Sequence, residues 1–596
     1  MFRRNAAKAA LAPPSKYGRH HLPGFNLPVD YIPQEHTEGS GRNLFSTALS
    51  SSDLEGRWSS LNLNTLRELT MIRMMDNITD KPEWDSKVFD NAITTKWKEE
   101  ALGNDVTESM MKWVIAELQY KTKLFQDEGI VIAYEGGIIK SDIAVTEELK
   151  EVLKKAVHPL EDTPEKDYHP GSDQKVLDLV HPSLFPLVYG RTRILRDEIV
   201  GVDDCLLHIG HGEIISVSQL APSPSRSGPW LMQRPYSDKF QWLPCDVEVN
   251  GEEGCKITSY INNLHPKKHI ELYHVIEAII DRTIPLWNLS LGPTDKELIG
   301  ARGRERISYT EVQYEDKSVN ENPNGGIDEG SNDGSQNLGD DSNEQSHRTL
   351  ILPEPGEFAP IEPPEVDLRE EAEARGLQVI VKLANIHLTP EKPTYDGGSW
   401  HVEGQLNEHI CATALYYYDS ENITESRLAF RQDSSLDELG ISYNQDDHQW
   451  LETVYGCHQD GPPVQEVLDV LCKEGRLLTF PNILQHRVHP FQLADSTKPG
   501  HRKILALFLV DPRIRVISTA HVPPQQRHWW SEEIYRLNSL KPLPLELQHK
   551  VVDDVDFPIH MEEAKALRLE LMDERKAFVE DQTEAMMSYT FSLCEH

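Results

Sequence analysis

The chain has 596 residues, of which 38% are hydrophobic, and a formal charge of −37. One ordinary core does not reach that length, so two to four domains are expected. The acidity argues against a nucleic-acid partner, whose phosphates demand clustered Lys and Arg, and no apolar run is long enough to span a bilayer.

The charge is uneven. Between Glu315 and Glu373 there are 17 Asp or Glu against Lys317, Arg348 and Arg369. The seven cysteines are scattered without a C-x-x-C pair. Such usage fits a reducing compartment better than a disulfide framework, so an intracellular, cytoplasmic protein is expected.

Residues 1–40 read as a basic flexible tail. Five Lys or Arg and no acid precede Asp30. A mitochondrial targeting segment has that charge, but this one lacks serines and is interrupted by Pro13-Pro14. Residues 41–312 read as a mainly helical domain. TLRELTMIRMMDNIT, KVFDNAITTKWKEEAL and ESMMKWVIAELQYKTKLF repeat apolar residues at three- and four-residue spacing. GIVIAYEGGIIKSD interrupts them as a hairpin around Gly136-Gly137. HPSLFPLVYG and FQWLPCDVEV read as buried extended segments. HPKKHIELYHVIEAIIDRTIPLW reads as one helix with Pro266 in its first turn. Residues 313–375 form an acidic linker or insertion, with too little apolar surface to offset its ordering entropy.

From 376 to 522 the texture changes to strands: LQVIVKLANIHL, ICATALYYYD, GRLLTFPNI, RKILALFLVDP and RVISTAHV. Short β-branched and aromatic runs between Gly, Pro and Asp turns suggest a sandwich or barrel. Residues 523–596 return to helices, ending in HMEEAKALRLELMDERKAFVEDQ.

The β-rich segment carries the chemistry. In SWHVEG, His401 and Glu403 are two apart and so fall on one side of a strand. Alone, such a pair is usually a solvated polar face. Here His486 follows 85 residues later in NILQHRVHPF, and Arg502 opens the apolar strand after Gly500. Two imidazoles and one carboxylate can hold Fe(II) on one face and leave three positions open. Arginine's planar fork suits the far carboxylate of a bound oxo-acid, and an unpaired charge beside an apolar strand would otherwise be costly.

Tyr395-x-Gly397-x-x-x-His401-x-Glu403, then TALYYYD, then LLTFPN, H-R-V-H-P and G-H-R, resembles the Fe(II)/2-oxoglutarate-dependent oxygenases, in their prolyl-hydroxylase-like branch. The resemblance implies an α+β protein with a double-stranded β-helix (jelly-roll, cupin-like) core, a large helical N-terminal region and C-terminal helices. It implies His401, Glu403 and His486 as Fe(II) ligands, with H-x-V-x-P favouring His486 over His489. It further implies Arg502 on the 2-oxoglutarate carboxylate, Tyr395 and Tyr417 lining that pocket, and cleavage of the oxo-acid to succinate and carbon dioxide. Glu403 stands where aspartate is commoner, and the interval from His486 to Arg502 is longer than usual. The blocks KVFDNAITTKWKEEAL, HPGSD, LVHPSLFPLVYG, KFQWLPCDVEV, ITSYINNLHP and FSLCEH resemble an uncharacterised fungal family bearing a domain of unknown function.

Two other readings stay open: a non-catalytic scaffold built on a degenerate β-helix, and a cupin-like metal enzyme that does not use 2-oxoglutarate. The substrate is open between a small molecule and a protein. Tyr416, Tyr417 and Tyr418 read as packing residues, and only Tyr417, which alternation turns away from both neighbours, gains from the resemblance. His265-x-x-x-His269 lacks a third ligand. Cys457-His458 lacks an oxyanion motif and reads as a structural thiol. His409 and His489 flank the site as candidate donors to its ligands.

Overall fold

Threonines ahead of the apolar-periodic runs start the first long helices. The Thr65 hydroxyl accepts the Glu68 amide, and the Glu68 carboxylate accepts the Thr65 amide, making a capping box for α1 (Leu66–Thr79). Thr107 and Thr146 cap α2 (Glu108–Glu128) and α3 (Glu147–Glu161). Gly129, at φ 70°, closes α2 in the left-handed region. The hairpin between α2 and α3 forms as β1 (Val131–Tyr134) and β2 (Ile138–Ser141).

The remaining elements used below are β3 (Val176–Val180), β4 (Cys245–Val249), β5 (Cys255–Ile257) and α4 (Ile270–Leu291). Beyond the acidic segment come β6 (Leu377–Leu388), β7 (Ile410–Glu421), β8 (Arg427–Ser435), β9 (Val464–Leu471) and β10 (Leu477–Pro481). Then follow β11 (Gln485–Val488), β12 (Gly500–Val510) and α5 (Met561–Ser588). This is a computed structural model. It describes residues 20–33, 43–49, 61–103, 105–216, 235–249, 254–295, 298, 306–315, 349–360, 362–435, 440–445, 447–536, 543–588, 590 and 593. Most of the expected basic tail, the middle of the acidic segment (316–348) and Cys594 lie outside the described residues.

The architecture is mixed α+β with antiparallel sheets. A nine-stranded sheet runs β5-β4-β6-β12-β7-β10-β2-β1, with β3 paired to β6 beside β4. A four-stranded sheet runs β9-β8-β11, with Leu61–Asn62 added in parallel to β8. The large sheet therefore crosses the boundary expected at residue 376. Strands β1–β5 precede the acidic segment, and they cover backbone edges of β6 and β10 that would otherwise offer unpaired N–H and C=O groups.

Alternation sorts the large sheet's side chains into two cores. Val379, Val381 and Leu383 join Ile276, Ile280 and Trp287 of α4 on one face. Ile380, Leu415, Phe480 and Phe508 face the small sheet, where Phe430, Val467 and Val470 meet them. Tyr416 and Tyr418 pack toward α4 while Tyr417 enters the inter-sheet core. Each fully buried large side chain contributes about 1.5–3 kcal/mol by leaving water.

Two expectations are corrected. The helix expected from His265 begins at Ile270. The His265 ring accepts the amides of Lys267 and Lys268 at 3.2 and 3.3 Å, so Pro266 lies in a capped turn ahead of the helix. RVISTAHV is not a strand. Side-chain amides replace a ladder there: Gln378 bonds both the N–H and C=O of Val516, and Gln241 donates to the Ile517 carbonyl.

Candidate metal centre

His401, Glu403 and His486 come together although they are far apart in sequence. His401 and His486 form an isolated bridge, His401 N–H donating at 3.1 Å and His486 N–H at 2.9 Å to each other's carbonyls. Their rings stand 4.3 Å apart between centroids. Asn482, in the turn after β10, accepts the Glu403 amide at 2.9 Å and donates to the Glu403 carbonyl at 2.9 Å and the Ile410 carbonyl at 3.0 Å. Gly397, at φ 89°, lets the preceding loop approach β11, since a Cβ there would lie 2.7 Å from the Val488 carbonyl oxygen.

Glu403 Oε1 lies 3.4 Å from His486 Nε2 and 3.8 Å from His401 Nε2. One ligand atom from each residue falls within 4.8 Å of the others. Adjacent ligands at about 2.1 Å from an ion stand about 3.0–3.4 Å apart, so a small contraction closes this set on a metal. The protonation pattern suits it. His401 Nδ1 is 2.8 Å from the Ser399 carbonyl, to which it donates, leaving the Nε2 lone pair for the cluster. Burial and then His486 pull His401 down to about 4. Burial pushes Glu403 up, but the His486 hydrogen bond and the charges of His401 and His486 outweigh it and hold the carboxyl at about 2. A neutral His401 and an ionised Glu403 are the states in which these groups bind a divalent ion. His486 is enclosed, its ring 4.7 Å from Phe480, whereas His401 keeps 32% of its side chain exposed. The cluster therefore opens to solvent on the His401 side.

Arg502 lies in the same inter-sheet space. The register of the large sheet sets residues in rungs: Ile380–Phe508–Thr413–Phe480, then Lys382–Ala506–Leu415–Leu478, then Ala384–Ile504–Tyr417, then Ile386–Arg502. Phe480 of the first rung packs on His486. Arg502, at the last, is 3% exposed. Its guanidinium lies 5.0 Å from the Phe491 ring and 5.6 Å from the Tyr417 ring, and donates to the Ser426 hydroxyl. Among the described residues it meets no carboxylate. Buried Arg476 and Arg513 differ, Arg476 pairing with Asp80 and Asp142 and Arg513 with Asp295 and Glu371. Buried Arg431 instead donates to Gln485 and lies over the Trp400 ring, with no ion pair among the described residues. The Tyr395 ring lies 5.1 Å from Phe491, tilted by 36°, and burial raises the pKa of its hydroxyl. The Tyr417 hydroxyl accepts the Cys472 thiol at 3.1 Å.

The other candidates fall elsewhere. His489 lies 3.6 Å from Asp469, and His409 is a buried left-handed residue at φ 46° that follows a short 3-10 turn. His265 packs on Trp529, and Cys457 is buried in a small aromatic cluster where desolvation pushes its thiol up to about 11. Sequence reasoning missed Asn482, Lys382 and a second compact cluster. In that cluster His169 Nδ1 lies 2.9 Å from Asp178, with His181 beside them.

The molecule is thus a mixed α+β protein with a two-histidine, one-carboxylate cluster opening beside a space between two antiparallel sheets. The chain belongs to the family described as "Protein of unknown function (DUF4246)", whose model matches residues 108–533, and the N-terminal domain of that family matches residues 22–100. No curated protein matches the sequence. Solved structures resemble it in part. IDO from Bacillus thuringiensis is 11% identical over 23% of this chain and 48% of that one, with a TM-score of 0.15. The Fe(II)/(alpha)ketoglutarate-dependent dioxygenase TqaL is 16% identical over 24% and 46%, with a TM-score of 0.15. The non-heme monooxygenase ThoJ, in its Ni complex, is 15% identical over 26% and 59%, with a TM-score of 0.15. The chain spans about half the length of these structures.

Proposed function

We propose that the protein is an Fe(II)/2-oxoglutarate-dependent oxygenase of hydroxylase type, with the two sheets as a double-stranded β-helix. His401, Glu403 and His486 would hold Fe(II), and Arg502, flanked by Tyr395 and Tyr417, would hold the far carboxylate of 2-oxoglutarate. One observation carries the reading. A guanidinium buried among aromatics without a carboxylate lies in the inter-sheet space that the His/Glu/His cluster adjoins. Burying an unpaired cation is costly, so an anionic ligand is the natural complement.

Bound there, Fe(II) supplies dioxygen activation coupled to decarboxylation of 2-oxoglutarate. The chain supplies position. Ser399 fixes the His401 tautomer, Asn482 clamps the Glu403 backbone, and Phe480 and Phe430 shield the His486 ring. The primary substrate is a small molecule or a protein side chain entering from the open side.

The test is succinate release. Fe(II)-loaded protein in air should convert 2-oxoglutarate to succinate slowly without added substrate, and His486→Ala should abolish it. Protein that binds Fe(II) but neither binds 2-oxoglutarate nor releases succinate would favour the cupin-like alternative. Protein that binds neither metal nor 2-oxoglutarate would be a scaffold.

A further inference from the structure

Lys382 faces the small sheet from a rung that runs through Ala506, Leu415 and Leu478 to Lys140, the other charged member. The rung next to it contains Phe480, which packs on His486, and Arg502 lies two rungs away on the other side. At about 6.7 Å per pair of residues, that places Lys382 about 13 Å along the strands from Arg502, toward the Phe480 rung and the metal cluster. Strand β3 carries Asp178 onto the same wall, opposite Ala384.

Two other lysines of this sheet have carboxylate partners. Lys140 pairs with Asp76 and Asp80 at 2.6 and 2.7 Å, and Lys503 with Glu161 and Asp419 at 3.1 and 3.0 Å. The Lys382 side chain has neither a hydrogen bond nor an ion pair among the described residues. The nearby acids are engaged: Glu403 with the two histidines, Asp178 with His169. The positive charge of Lys382 is felt on both sides, lowering Glu403 and His401 on one and Asp178 and His181 on the other.

The geometry points to Lys382 as the anchor for a carboxylate of the primary substrate, which makes that substrate a carboxylic acid. This rests on the oxygenase reading. There, the two carboxylates of 2-oxoglutarate are already placed, one at the metal and one at Arg502. An anion at Lys382 therefore belongs to a second molecule. An ammonium is a compact point charge suited to such a group, and its flexible stem lets it meet the acid beside the metal.

The experiment uses the full chain loaded with Mn(II) and 2-oxoglutarate, with trifluoroacetate as the carboxylate probe and its fluorine NMR line as the readout. The wild-type complex should broaden the line, because the probe sits near the paramagnetic ion. In Lys382→Met the broadening should fall by about tenfold, as expected for loss of a charge-assisted contact. Lys382→Arg should restore part of it, and 2-oxoglutarate affinity should stay unchanged in both variants. Equal broadening in Lys382→Met, or none with the wild-type complex, overturns the assignment. A tenfold loss of 2-oxoglutarate affinity in Lys382→Met would move the lysine to the co-substrate and also overturn it. Failure of the wild-type chain to bind Mn(II) or 2-oxoglutarate would instead bring down the oxygenase reading beneath it.

Discussion

Two clusters in this chain have the same ingredients, two histidines and one carboxylate, with ligand atoms within 4.8 Å of one another. They differ in what the outer atoms do. In the His401 cluster, His401 Nδ1 donates to a carbonyl, His486 Nδ1 has no hydrogen-bond partner, and both Nε2 atoms converge on Glu403. In the His169 cluster, His181 Nδ1 accepts the Ser183 amide, which puts the proton of the neutral ring on Nε2. Asp178 is bonded to His169 Nδ1 at 2.9 Å and lies 3.8 Å from Arg568, whose other partner is Asp167. There the negative charge is already met by protein donors. Composition and spacing make a metal site conceivable; lone-pair direction and charge balance separate the two. The first is arranged for a cation; the second already sets its carboxylate against His169 and Arg568, although Asp178 Oδ1 has no hydrogen bond.

The comparison breaks most sharply on Glu403→Ala. Outer-shell substitutions alone weaken metal sites 10–100-fold, so loss of a ligand should weaken Mn(II) binding by more than about 100-fold in calorimetry, while Asp178→Ala leaves it unchanged. Next is Arg502→Ala. Losing a charge-assisted pair costs about 1.5–3 kcal/mol, so 2-oxoglutarate affinity should fall by roughly 10- to 150-fold in anaerobic titration, with metal affinity intact.

Asp178→Ala should show the opposite profile. Removing the acceptor from His169 and the charge facing Arg568 should cost about 2 kcal/mol in urea unfolding, with metal and 2-oxoglutarate binding preserved. The smallest effect is pH dependence. Burial holds His181 well below the ordinary histidine range in the folded chain. The unfolded chain takes up the proton first, so the stability this ring contributes is present above about pH 6.5 and is lost as pH falls below it, by at most about 1.4 kcal/mol per pH unit. His181→Gln should flatten that part of the unfolding midpoint against pH.

What the sequence made legible follows the strength of its patterns. The strands at 377–388, 410–421, 477–481 and 500–510 are long β-branched or aromatic runs, and all four form. The small sheet was harder to see. In VQEVLDVL, Glu466 and Asp469 are exposed on its outer side, and RLAFRQDSS ends in polar residues, so neither run has the apolar density of a buried strand. The His401-x-Glu403 pair stood out through its period-2 spacing, and Tyr417 separated from its neighbours for the same reason. The bridge that seats His486 against His401 is made by backbone groups, which no side-chain pattern encodes. Lys382 had one signal, a lysine inside the apolar run VIVKLA, but in isolation that reads as a charge at a sheet edge. Asp178 and His181 gave none, because Asp178 is a single acid inside the strand VLDLV and His181 stands in the turn-like LVHPS.

The most direct measurement is the visible absorption of the anaerobic protein with Fe(II) and 2-oxoglutarate, recorded for the wild-type chain, Glu403→Ala and Asp178→Ala. The expected result is a weak charge-transfer band that is present in the wild-type chain, absent in Glu403→Ala and retained in Asp178→Ala. No band in the wild-type chain, or a band that survives Glu403→Ala and vanishes in Asp178→Ala, would contradict the assignment of the metal to the His401 cluster.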